Sequence, residues 1–379
     1  MEHLDDPYLL PGLAVALVCV LGLLSFQLMR AKKGPAGDSA EGLPVVPGLP
    51  RWLGFFGGQT VQLDPSHMTR MIEGFVEKYG NGGDVELFLM GKRVITVTDP
   101  KEWQRIMLHR PTKFERAPNM RWMTDVALEM EMAPSLFLSD TYTTPTWGEL
   151  RRLSSSAFNV ANVKLMLPAL NQITRSLIES WKRKAGSVEY IDGLEELKML
   201  ASSVIGLVGY GHDMRLFHED VKEEDLHTFE GLCNTLAMVA LRLFSPFYTY
   251  TWYIPFMPWV RKYKADMRHI DGVIDKFIQK GIAANKARKA GQPVVETTGF
   301  LLDKMVASSV LEKGEKGLSV ELIRMHLKGF YVAGTDTTAR GMSWCLYFLA
   351  ANKRIQTKLQ AEVDKVLGDD SVPTTHEQV

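Results

Sequence analysis

The chain has 379 residues, 46% hydrophobic and 23% charged, and its formal net charge is zero. This is globular composition, long enough for one large core or two modest ones, and the neutral balance argues against a nucleic-acid partner. Cys19, Cys233 and Cys345 are too few and too scattered for a disulfide framework or a zinc site, which fits a reduced compartment.

Residues 8–29 form a charge-free run rich in Leu, Val and Ala, of the length a bilayer core demands. Glu2, Asp5 and Asp6 precede it, and Arg30, Lys32 and Lys33 follow. The positive-inside bias then places the rest of the chain on the cytosolic side. A cleavable signal peptide is the competing reading. Its apolar region would be shorter, its positive charges would come first, and an Ala-x-Ala-like site would end it. The expected organisation is an anchor over 1–33, a linker over 34–58 and a body over 59–379. Pro44, Pro47 and Pro50 make the linker a semi-rigid spacer, because each ring fixes φ and biases the preceding residue to extended backbone.

Met68, Ile72, Phe75 and Val76 predict a helix that stops at Tyr79-Gly80. Residues 85–89 and 93–98 read as two strands of a hairpin around Met90-Gly91-Lys92. Asp99-Pro100-Lys101-Glu102 reads as an N-cap, a first-turn proline and a capping-box acid. Trp147 and Arg151, at i and i+4, share one face of a helix. An indole N–H and a guanidinium aimed together can bind a carboxylate. The plainer reading is a core Trp beside a solvated Arg.

Helices dominate from about residue 162 to 351. Asp192 and Glu195 form a second capping box before a helix ending in Gly209-Tyr210-Gly211. His212, His218 and His227 read as solvated groups in a charged loop. Residues 244–259 are rich in aromatics and proline and read as a loop packed on the body. A last amphipathic helix runs over 353–367.

Between these lies a helix capped by Ser319, with Glu321 in its first turn, running to about Ala351. It spans roughly 45–50 Å and, apolar on nearly every side, is expected to run through a core. Its centre reads Ala333-Gly334-Thr335-Asp336-Thr337-Thr338. Gly329, Ala333, Thr337 and Gly341 form a ridge of small side chains at spacing four. A flat group or another backbone could lie on it. Close helix packing and threonine back-bonding are the plainer explanations. Yet a carboxylate there carries a desolvation cost unless it is paired, and broken local rules tend to mark function.

The Ala-Gly-Thr-Asp-Thr-Thr stretch resembles the distal-helix signature of the cytochrome P450 family. The Trp147–Arg151 pair and the order of helix, hairpin and Asp-Pro helix resemble that family too. The resemblance implies a mainly α fold with a small β-sheet, preceded by a single transmembrane helix. It implies a haem-dependent monooxygenase that inserts one oxygen atom from dioxygen into an apolar substrate. Electrons would come from NADPH through a reductase, at the endoplasmic reticulum membrane. By the same resemblance Asp336 and Thr337 would relay protons, Ala333 and Gly334 would leave room for haem and dioxygen, and Trp147 and Arg151 would hold a propionate. For residues 244–259 the resemblance implies a flexible roof over a substrate pocket instead of a packed loop. Arg152 and the Lys182-Arg183-Lys184 run are candidates for docking the electron donor, or simply a solvated face.

Residues 139–145 depart from the Gly-containing turn usual before the Trp–Arg helix. The family's Phe-x-x-Gly-x-Arg-x-Cys loop, which supplies the axial thiolate, occurs nowhere in the chain. The expectation is therefore a P450 fold incomplete at its C-terminus, inactive by itself. The alternative is a non-catalytic membrane-anchored helical protein that binds an apolar ligand or partner. A second membrane span over the long helix is disfavoured by Lys328, Asp336 and Arg340.

Overall fold

The computed structural model describes residues 42–51, 58–59, 67–89, 92–110, 113–114, 121–133, 135–137, 147–186, 190–293, 299–309, 317–368, 373 and 375. The charge-free run over 8–29 and the segment 139–145 lie outside the described residues. Among the described residues, no helix is long and apolar enough to cross a membrane. The chain divides into two compact units, Met1–Met120 and Arg121–Val379.

In the first unit, α1 (Met68–Gly80) leads to β1 (Glu86–Leu89) and β2 (Lys92–Ile95). The strands pair antiparallel, Glu86 opposite Ile95 and Leu89 opposite Lys92, as the hairpin pattern predicts. Helix α1 runs through Gly80, and its stop is Asn81, held left-handed at φ 49°. Asparagine tolerates that region because its short amide bonds locally. Val46, Val85 and Leu87 form a small core that α1 covers with Ile72, Phe75, Val76 and Tyr79. Asp99 caps α2 (Pro100–Leu108), accepting from Lys101 N–H at 2.9 Å. Glu102 does not complete the box; it accepts from Arg105 Nε at 2.7 Å, because a cation one turn on outcompetes a backbone amide.

The second unit is helical throughout its described elements. It comprises α3 (Arg121–Glu129), α4 (Trp147–Ala157), α5 (Val160–Lys184), α6 (Gly193–Tyr210) and α7 (Glu223–Phe244). It continues with α8 (Pro246–Thr251), α9 (Pro258–Lys289), α10 (Phe300–Val306), α11 (Val320–Ala351) and α12 (Lys353–Leu367). Asp192 caps α6, accepting from the Leu194 and Glu195 amides, while Glu195 turns to Lys198 at 3.4 Å instead of closing a box.

Backbone contact fixes the end of α6. Gly211 is left-handed at φ 68° and closes the helix on Leu207 O at 3.0 Å. A Cβ on Gly299 would sit 2.1 Å from the Gly209 carbonyl, so two main chains touch there and only glycine fits. Tyr210, between the two glycines, stacks on Phe277 of α9 at 5.8 Å and donates to Leu327 O of α11 at 2.7 Å. Burial in this core holds its phenol well above the ordinary range.

Helix α11 spans 32 residues and packs chiefly on α6. Two ion pairs join it to α9: Arg324 is bidentate on Asp275 at 2.6 and 3.0 Å, and Lys328 Nζ lies 2.8 Å from Asp271. Their spacing of four, opposite in sense on the two helices, sets an antiparallel register. Lys328, charged yet buried, is thereby compensated.

Three expectations need correction. Helix α11 is buried only through Ala339; beyond Gly341, Trp344, Leu346, Tyr347 and Phe348 are exposed, since no described element covers that end except the start of α12. His212 is not solvated: Nε2 lies 2.6 Å from Asp225 Oδ1 and its ring meets Phe277. His227 belongs to α7, not a loop, and stacks on His269 at 4.1 Å.

Part of the aromatic segment packs on the body. Trp252 is buried edge-on against Tyr263 and beneath the Arg242 guanidinium, while Tyr250, Tyr253 and Phe256 are exposed.

Candidate cofactor and catalytic site

Helix α11 places the site residues by its 3.6-residue period, so neighbours in sequence diverge in direction. Asp336 accepts from Arg340 Nε at 2.6 Å, one turn on, which supplies the partner a carboxylate on this helix requires. Thr337 is exposed and donates its hydroxyl proton to Ala333 O at 2.7 Å. Thr335, one turn above Tyr331, is the buried threonine and donates to Tyr331 O at 2.9 Å. Asp336 and Thr337 thus have separate partners, and no hydrogen bond joins them.

The small-residue ridge serves two purposes along its length. At Gly329 a Cβ would lie 3.4 Å from Ser135, so the helix is in contact with the 135–137 segment. Ala333 is half-buried, Thr337 is exposed, and Gly341 faces open space. Gly334 faces α6: a Cβ there would meet Ile205 at 3.7 Å, an ordinary packing distance.

Helix α4 buries Leu150, Ser154 and Ala157. Trp147, half-buried, donates its indole N–H to Leu136 O at 3.2 Å. Arg151 is exposed, and among the described residues it has no ion-pair partner. The two helices meet where Ser154 touches His326 at 2.9 Å and Phe158 stacks on Phe330 at 5.6 Å. From that junction Arg151 lies about 4.5 Å back along α4, and Ala333 about 10 Å onward along α11 from His326. Sequence reasoning did not single out His326, although a histidine inside the long apolar helix was a usable signal.

An anionic, flat prosthetic group fits part of this donor set. Arg151, exposed and without an ion-pair partner among the described residues, is suited to a carboxylate, and Ala333 and Thr337 leave a low, open helix surface. The indole of Trp147 is already engaged. Of the described cysteines, Cys345 is exposed on α11, and burial pushes the Cys233 thiol up to about 11; neither sits in the family's thiolate loop, which the chain does not contain. Cys19 lies outside the described residues. The candidate docking cations are mostly engaged. Lys182 pairs with Glu179, Lys184 with Glu196, and Arg183 donates to Phe217 O. Arg152 stays exposed, 3.9 Å from Glu149.

Fold and site together define a mainly helical scaffold in which a Trp–Arg helix touches, through Ser154 and His326, a long helix bearing an acid and a hydroxyl. The chain belongs to the cytochrome P450 family, whose sequence pattern matches residues 47–379. Among its relatives, cytochrome P450 72A15 of Arabidopsis thaliana is 24% identical over 282 residues, 73% of this chain and 49% of that protein. The echinocystic acid 23-monooxygenase of Saponaria officinalis is 30% identical over 246 residues, 62% of this chain and 44% of the relative. The crystal structure of the cytochrome P450DA heme domain superposes with a TM-score of 0.63 at 21% identity, covering 89% of this chain and 66% of that one, a likeness of fold. The chain spans about half the length of the curated relatives it matches.

Proposed function

We propose that the whole protein is a haem-dependent monooxygenase and that α4 and α11 of this chain carry residues that would face its haem. Family membership supports haem, which when bound supplies the redox chemistry of dioxygen. Relatives named as a monooxygenase and a hydroxylase support oxygen insertion into a small organic molecule. The observation that carries the reading is the open Thr337 surface of α11, seated through His326 and Phe330 on the helix that bears Arg151.

Arg151 would hold a propionate of the haem, with Trp147 one turn away on the same helix. Ala333 keeps the surface low enough for a flat ring and a diatomic, with the Gly334 backbone next to it. Thr337 Oγ keeps a lone pair free while its proton is committed to Ala333 O, so it can accept a hydrogen bond and order a water at that point. Asp336 would serve the proton relay with Thr337 only with its ion pair to Arg340 opened. No cysteine of this chain is assigned as an axial ligand. An NADPH-dependent reductase delivers electrons, with Arg152 a candidate contact. The charge-free stretch over 8–29 supports an anchor in the endoplasmic reticulum membrane, with the body in the cytosol.

Thr337→Ala in the whole protein is the test. Dioxygen consumption should continue while product formed per dioxygen falls several-fold. An unchanged coupling ratio rejects the proton-handling role.

A further inference from the structure

The geometry points to His326 as a positioning residue that seats the Trp147–Arg151 helix on α11 by clamping the backbone of Leu136. This inference deepens the proposed function and rests on it.

His326 is fully buried on α11, and its ring stands edge-on to Phe330 at 5.0 Å. Each ring nitrogen has one partner. Leu136 N–H reaches Nδ1 at 3.4 Å, so Nδ1 is the acceptor and the proton sits on Nε2. Nε2–H then donates to Ser154 Oγ at 2.9 Å, and the Ser154 hydroxyl donates in turn to Leu150 O at 2.7 Å. The remaining polar group of Leu136, its carbonyl, accepts from Trp147 at 3.2 Å. One peptide segment is thus held from both sides, by α11 through its N–H and by α4 through its carbonyl. Ser154 joins the same two helices directly.

The ring has no partner to spare, and each bond fixes the direction of the next. Phe137 and Phe158 pack on Phe330 at 5.1 and 5.6 Å, and His326 and Ser154 at the centre of this chain of bonds are buried. The indole at position 147 can hold its angle only while Leu136 O stays in place, and Leu136 stays because His326 accepts its N–H. Arg151 rides on the same helix one turn on, so the guanidinium inherits that placement. No direct contact between His326 and any cofactor is implied.

The measurement is amide and indole hydrogen exchange in the 379-residue chain, with the Trp147 indole resonance assigned by its loss in Trp147→Phe. His326→Phe should speed exchange at the Trp147 indole and the Leu136 amide at least tenfold. His326→Gln presents an oxygen to Leu136 and an N–H to Ser154, and should keep both within about threefold of the parent. The Ile274 amide on α9 should be unaffected in each. Unchanged exchange in the Phe variant, or a Gln variant as loose as it, overturns the inference. If His326→Phe does not fold, Ser154→Ala replaces it; parent-like exchange at Trp147 in that variant also overturns the inference. Titration of the parent chain with free haem, followed by absorbance, tests the functional reading separately, since the exchange readout needs no haem.

Discussion

Asp336 and Thr337 are adjacent in the chain but roughly 100° apart around the helix. Each has therefore found its own partner, Arg340 for the acid and the Ala333 carbonyl for the hydroxyl. Because Thr337 is exposed and back-bonded, replacing it by alanine removes β-branching at no packing cost. Thr337→Ala should leave stability within about 0.5 kcal/mol of the parent, or raise it slightly, as urea midpoints would show. His326 behaves oppositely. Burial moves it from 6.5 down to about 4, so between those values the unfolded chain binds more protons than the folded one. The stability tied to the neutral ring is complete above pH 6.5 and is lost as pH falls to about 4. The loss amounts to roughly 3 kcal/mol, and His326→Gln should flatten that part of a pH series of urea midpoints.

At the scale of elements, the α9–α11 pairing is set by charge as well as by packing. Lys328 is buried and Asp271 only partly so. Removing the acid alone strands the ammonium, so Asp271→Ala should cost about 3–5 kcal/mol in chemical denaturation. Lys328→Met combined with Asp271→Leu should recover most of that, because two apolar side chains need no solvation. The crossing of Gly299 over Gly209 is stricter, and Gly299→Ala should destabilise by about 3 kcal/mol in the same assay. Much of this level was legible in the residues. Asp99, Asp192 and Ser319 all cap as their positions predict, because a cap depends on the three residues that follow it. The capping-box acids were not legible, because Arg105 and Lys198 compete for them one turn further on. The setting of His212 was not legible for a similar reason: Asp225 and Phe277 lie outside its local sequence and reach it only through folding.

At the scale of the molecule, the exposed end of α11 continues into α12, where Ile355, Leu359, Val363 and Val366 are also exposed. Apolar surface of this extent binds amphiphilic dyes and other proteins. Trp344→Glu with Phe348→Glu should lower the fluorescence of bound anilinonaphthalene sulfonate and reduce self-association seen in sedimentation. A double variant as sticky as the parent would place that surface elsewhere. The helical order, the hairpin, the caps and the Ala-Gly-Thr-Asp-Thr-Thr stretch are written in local patterns of a few residues, since propensity, capping and turn chemistry act over short range. Tertiary structure alone decided which face of α11 is covered, that Gly334 meets Ile205, that Lys328 is neutralised by Asp271, and that His326 clasps Leu136. Those outcomes depend on which distant side chains arrive, and burial, hydrogen bonding and charge compensation have no fixed value until they do.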